Sequence, residues 1–173
     1  MKNHHNDAYN RLLAIDPCTK GFGFAVMEGK GRLVDWGVAR LWSGRSEEFV
    51  VRVEGLVDRY QPSTIVLEDL PHRFRDGRRA DRLCALADYV GAWKAQAVWV
   101  SRAAVKEFFG DTDGTKHEIA RVIAEAFPEL RQHLPPPRKL WMSEDERMNL
   151  FDAMSFLLVT RGSLGSNDVP SLR

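Results

Sequence analysis

Three acidic residues of this chain stand where acids are costly. Asp16 closes the apolar run Leu12-Leu13-Ala14-Ile15, Glu68 follows Thr64-Ile65-Val66-Leu67, and Asp152 sits between Phe151 and Ala153 in a stretch of Met, Phe and Leu. A carboxylate in such surroundings is expensive unless a cation meets it. Asp16 also precedes Pro17, a good turn start in its own right, but neither Glu68 nor Asp152 has such an alternative. Three acids in apolar settings, on three separate elements, point to one metal site. In-line cleavage of a phosphodiester needs an activated water and a stabilised leaving oxygen, which two Mg²⁺ ions about 4 Å apart supply when carboxylates hold them. Mg²⁺ prefers oxygen ligands, in keeping with a set that contains no His or Cys.

The elements that must position these acids follow from periodicity. LLAID, FGFAVME and RLVDWGVARLW are β-rich runs divided by turn compositions, which predicts a meander of three antiparallel strands. After Ser46, the spacing of Phe49, Val50, Val53, Leu56, Val57 and Tyr60 predicts a helix that Gln61-Pro62-Ser63 stops. TIVLED over 64–69 is a buried strand, 76–96 a helix, and 97–101 the next strand. Short helices are expected over 102–109 and over 115–127, the second opened by the capping pair Thr115 and Glu118. Leu134 to Pro137 reads as an extended loop, and a last helix is expected to start at Ser143 with Glu146 completing its capping box. The expected fold is α/β: a mixed five-stranded sheet, three strands antiparallel and two more added in parallel through crossovers, with helices on both faces. That is the order of the ribonuclease H-like fold. The domain is expected to span 11–162, with flexible tails over 1–10 and 163–173.

Length and composition limit the alternatives. With 173 residues the chain holds one domain, and 44% hydrophobic residues with five Trp argue against disorder. The formal charge of +1 gives no support to a nucleic-acid partner, nor does it exclude a basic groove balanced by acids elsewhere. No run approaches the roughly 20 apolar residues of a spanning helix, and the first residues lack a signal-peptide core, so a cytoplasmic setting away from membranes is expected. Cys18 and Cys84 form no metal-binding pattern and read as free thiols.

The motifs taken together resemble the RuvC-type Holliday-junction resolvases. LLAIDPCTKGFGFAV is similar to that family's first strand, turn and second strand, TIVLED to its second acidic strand, and NLFDAMSFLL to its C-terminal helix. VWVSRAAVKEFFGDTDGTKHEIARVI resembles the segment between, and the likeness runs from Leu12 to Val159. It implies a structure-selective endonuclease in which Asp16, Glu68 and Asp152 bind Mg²⁺, two ions per site with Mn²⁺ as a substitute and no organic cofactor. It further implies that Lys106 and Lys116 touch DNA and steady charge at the cut phosphate. Two departures stand out. Cys18 replaces the family's turn glycine, and Asn149 stands three before Asp152 where the family has an acid or His. Asn149 can coordinate through its carbonyl oxygen but brings no charge. Asp145 is the second choice for a fourth ligand, on nearly the same face of an extended helix but roughly 10 Å along it, and a lost ligand is the third.

The segment after Glu68 adds Arg73, Arg75, Arg78, Arg79 and Arg82, residues suited to phosphates, with Phe74 placed to stack on an unpaired base. A four-way junction needs two equivalent cuts, so a C₂ homodimer is expected, with the 76–96 helix as its interface by resemblance. Two other readings stay open: a module of the same fold that holds branched DNA without cutting it, and a related small hydrolase acting on ribosomal RNA precursors.

Overall fold

A computed structural model describes residues 10–70, 77–93, 95–110, 114–139 and 141–163. Strands β1 (Arg11–Pro17), β2 (Gly21–Glu28) and β3 (Arg32–Arg40) form the expected antiparallel meander. Helix α1 (Ser46–Tyr60) then leads to β4 (Thr64–Asp69), α2 (Arg78–Val90) to β5 (Gln96–Ser101), and α3 (Arg102–Phe108), α4 (Lys116–Ala126) and α5 (Met148–Ser163) follow. The sheet order is β3-β2-β1-β4-β5, with β4 parallel to both β1 and β5. The mixed sheet with helices on both faces is the predicted fold class.

Strand periodicity explains the two layers. Leu12 and Ala14 of β1 and Val66 of β4 face a core built with α4 and α5, while Leu13, Ile15, Ile65 and Leu67 face a second core built with α1 and α2. Asp16 and Glu68 continue the first series, so both point to the α5 side. Ile15 pairs with Leu67 in the parallel register, which brings both acids out together at the carboxyl ends of neighbouring strands. Helix α5 is buried from Met148 to Arg161 and is apolar nearly all round, as a helix pressed between a sheet and other helices must be. Gly23 pairs with Asp16 across the β1–β2 ladder, and a Cβ there would overlap the backbone of Asn149 and Leu150. The bare glycine is what lets the start of α5 rest on β2.

Several boundaries differ from expectation. The second helix ends at Val90 rather than running to 96, because Gly91 begins a turn that folds Trp93 back onto Tyr89 and Val90. The last helix begins at Met148, not Ser143. Glu146 caps nothing; its carboxylate accepts from Arg40 at 2.7 Å and lies 3.6 Å from Lys20, tying the chain before α5 to the edge of β3. A 3-10 segment over Pro128–His133, opened by Pro128, was not anticipated. Capping by Thr115 is confirmed, its hydroxyl accepting from the Glu118 N–H at 3.2 Å.

Candidate active site

Asp16, Glu68 and Asp152 are 1%, 2% and 4% exposed and meet at one end of the sheet. The expectation that a buried acid must find a cation is met by three of them. Arg102 is the first residue of α3 and follows directly on β5, whose register sets Glu68 opposite Val100. Its Nε donates to Glu68 Oε1 at 2.8 Å, its Nη1 to Asp152 Oδ1 at 2.6 Å and its Nη2 to Asp152 Oδ2 at 2.9 Å. The same Nη2 lies 3.9 Å from Asp16 Oδ1, so one guanidinium reaches all three acids. Arg79, in the first turn of α2, donates from Nη2 to Asp16 Oδ1 at 2.5 Å and also to Glu68 Oε2. Lys116, the first residue of α4, sits with Nζ 2.9 Å from Asp152 Oδ2 and 3.0 Å from Glu144.

The electrostatics follow from this geometry. Burial and the neighbouring charge of Asp152 push the Asp16 carboxyl up to about 7, against the pull of Arg79 and Arg102. Burial works on Asp152 in the same sense, but Arg102 and Lys116 outweigh it and hold that carboxyl below its ordinary value. Burial opposes the charge on Arg102 and on Lys116, and the acids overcome it in both, raising each above its usual value.

The remaining predicted residues fall into place unevenly. Asn149 is 8% exposed, one turn before Asp152, and its Nδ2 donates to the Glu146 carbonyl at 2.9 Å, which turns its Oδ1 away from that bond. Asp145 is not on the helix. Its carboxylate is held by Arg147 at 2.7 and 3.0 Å, which corrects the picture of an extended α5 face carrying it. Lys106 is exposed on α3, one turn beyond Arg102, and Arg78 is exposed at the start of α2. Arg73, Phe74 and Arg75 lie outside the described residues. Arg79, expected among the phosphate-binding arginines, is placed by the structure in the acid cluster, bonded to Asp16 and Glu68 with its side chain about one third exposed.

Sequence reasoning missed Arg102 and the role of Arg82. The signal for Arg102 was its position immediately after a strand paired with β4. Arg82 is fully buried, one helical turn after Arg79, and donates to the carbonyls of Cys18, Gly21 (3.2 Å) and Gly44 (3.2 Å). It thereby fastens the turn that follows Asp16 and the loop after β3 to α2.

No protein-family model matches the sequence, and no curated protein does. Solved structures do match. The RuvC of Thermus thermophilus in complex with Holliday junction substrate superposes with a TM-score of 0.64 at 18% identity, covering 93% of this chain and 98% of that one. A second Thermus thermophilus RuvC structure gives 0.63 at 20% identity over 90% and 97%. The yeast mitochondrial Holliday junction resolvase Ydc2 gives 0.64 at 11% identity over 93% and 80%. The chain has the RuvC resolvase fold. Within that resolvase fold, the buried acids occupy the carboxyl ends of β1 and β4 and the second turn of α5.

The donor set suits a hard divalent cation in kind: buried carboxylate oxygens, with no sulfur or imidazole among them. As the side chains stand, no group of three His, Cys, Asp or Glu among the described residues is arranged to hold a metal ion, and guanidinium groups bridge the acids.

Proposed function

We propose that this protein is a divalent-metal-dependent endonuclease that cuts branched DNA, above all four-way junctions, at the cluster of Asp16, Glu68 and Asp152. The observation that carries the reading is the convergence of three buried carboxylates from β1, β4 and α5 in a chain with the resolvase fold. Mg²⁺ held by these acids, with Asn149 Oδ1 as a neutral fourth donor and Mn²⁺ as a substitute, would supply a low-pKa water and charge stabilisation for the leaving oxygen.

The chain's own residues account for the rest. Burial keeps water from competing for the carboxylates, and Gly23 and Arg82 fix the relative positions of β2, α5 and the turn after Asp16. Lys116 stays protonated beside Asp152 and half exposed, so it offers positive charge to a phosphate that approaches from solvent. Arg78, Lys106 and the half-exposed Arg79 give the same rim further cations. Together these suit a phosphodiester backbone.

A homodimer fits the substrate, since two equivalent strands must be cut. Cys84 and Ala87 on the outer side of α2, with Leu70, Leu83 and Trp99 of β5, which is 45% exposed, line a mostly apolar recess of about 370 Å³ that Glu68 and Asp69 border. That surface is where a second copy would dock. A non-cleaving junction-binding module is the alternative, favoured by Asn149 and by the arginines that already neutralise the acids. Incubating labelled four-way junctions with the protein and Mg²⁺ separates the two: paired nicks support the nuclease, and binding without nicks supports the module.

A further inference from the structure

We infer that Arg102 and a divalent ion compete for the same carboxylate oxygens, so that metal enters this site only by displacing the guanidinium. The inference rests on the metal-site reading above and deepens it. It does not depend on whether DNA is cut.

The geometry singles out Arg102 among the three cations. Arg79 touches two of the acids and Lys116 touches one, sharing itself with Glu144. Arg102 alone among the described residues reaches Asp16, Glu68 and Asp152 together, with both Asp152 oxygens and Glu68 Oε1 taken by three of its N–H groups. Its guanidinium carbon also lies 5.1 Å from the centre of the Phe156 ring, one turn along α5 from Asp152, so an aromatic face holds the cation on its other side. A planar fork matched to two carboxylates is a good ligand for them.

A divalent ion needs those same oxygens as ligands, and two cations a few ångströms apart in a buried site repel. The acids of the cluster already have cationic partners in Arg79, Arg102 and Lys116. An entering ion therefore gains only the difference between its own attraction and that of the guanidinium it expels, and apparent affinity falls accordingly. The absence of a fourth acid at Asn149 makes the exchange harder still. Once released, Arg102 is left at the mouth of the site, where a phosphate can receive it.

Competition gives a prediction of opposite sign from a purely structural role. Mn²⁺ binding is measured by titration calorimetry on the full chain without DNA. Arg102→Met, which removes the charge at similar volume, should tighten Mn²⁺ binding at least tenfold, and Arg102→Lys should give a smaller gain because one ammonium cannot bridge Glu68 and Asp152. Unchanged or weaker binding in Arg102→Met, with the fold intact by circular dichroism, would overturn the inference. If that variant does not fold, the wild type decides. The Arg102 Nε–H resonance should move with Mg²⁺ at the same midpoint as metal binding, and a resonance indifferent to saturating Mg²⁺, or no metal binding at all, overturns it. Failure of junction cleavage with the exchange intact would count against the nuclease reading alone.

Discussion

Gly23 and Asn149 are in backbone contact, the strand residue opposite Asp16 lying under the first turn of the helix that carries Asp152. A side chain at Gly23 would drive the two acids apart as well as strain the core. Gly23→Ala should therefore lower stability by about 1 to 3 kcal/mol, the usual cost of overpacking. It should weaken Mn²⁺ binding beyond what the fraction unfolded explains. Urea unfolding and metal titration on the same preparation check both halves.

Arg82 acts at one remove from the acids, through the turn after Asp16. Arg82→Met should destabilise the fold by roughly 2 to 4 kcal/mol, since the carbonyls of Cys18, Gly21 and Gly44 lose a charged donor in a dry setting. Arg78→Met, at an exposed position on the same helix, should leave stability within about 0.5 kcal/mol. It should instead reduce the slope of log junction affinity against log salt by about 1, as expected for one lost phosphate contact.

The contrast between these arginines shows what was legible in the sequence. The continuous apolar runs of β1 and β4 placed Asp16 and Glu68 at strand ends, and an acid inside the Met, Phe and Leu of α5 announced itself because burial without a partner is costly. The partners were not legible. Arg102 and Arg79 reach the acids only through the β4–β5 register and the docking of α2, both long-range facts with no local signature. Glu146 shows the converse failure: a capping pattern was present, but ion pairs with Arg40 and Lys20 drew that carboxylate to the sheet edge and the helix began later.

Asn149 tests the metal set. Asn149→Asp adds a charge one turn from Asp152 and should lower the metal concentration for half-maximal binding, narrowing any preference for Mn²⁺ over Mg²⁺. Asp145→Ala should have little effect on either, because Asp145 is engaged with Arg147 outside the helix. Calorimetric titrations with both ions would show the difference.

The Asp16 carboxyl, raised to about 7, keeps its proton through the range where ordinary carboxyls have lost theirs. An ion that binds Asp16 must expel that proton, so apparent Mn²⁺ affinity should rise about tenfold per pH unit up to about 7 and level off above it. Stability moves the other way. The folded state holds the proton more tightly than the unfolded chain, so Asp16 makes stability decline as pH rises from about 4 to about 7. Asp16→Asn should flatten both profiles, as read by calorimetry and urea unfolding across that range.

The central claim is that these buried acids cut branched DNA. The direct measurement compares a labelled four-way junction, a flap and a linear duplex, each incubated with the wild type and with Asp16→Asn in Mg²⁺ and in Mn²⁺. The account predicts paired, symmetric nicks in the junction by the wild type, little or no cutting of linear duplex, and an Asp16→Asn protein that binds the junction at least as tightly without cutting it. Nicking by Asp16→Asn at the wild-type rate, or a wild type that binds the junction and leaves it whole in both metals, would contradict it.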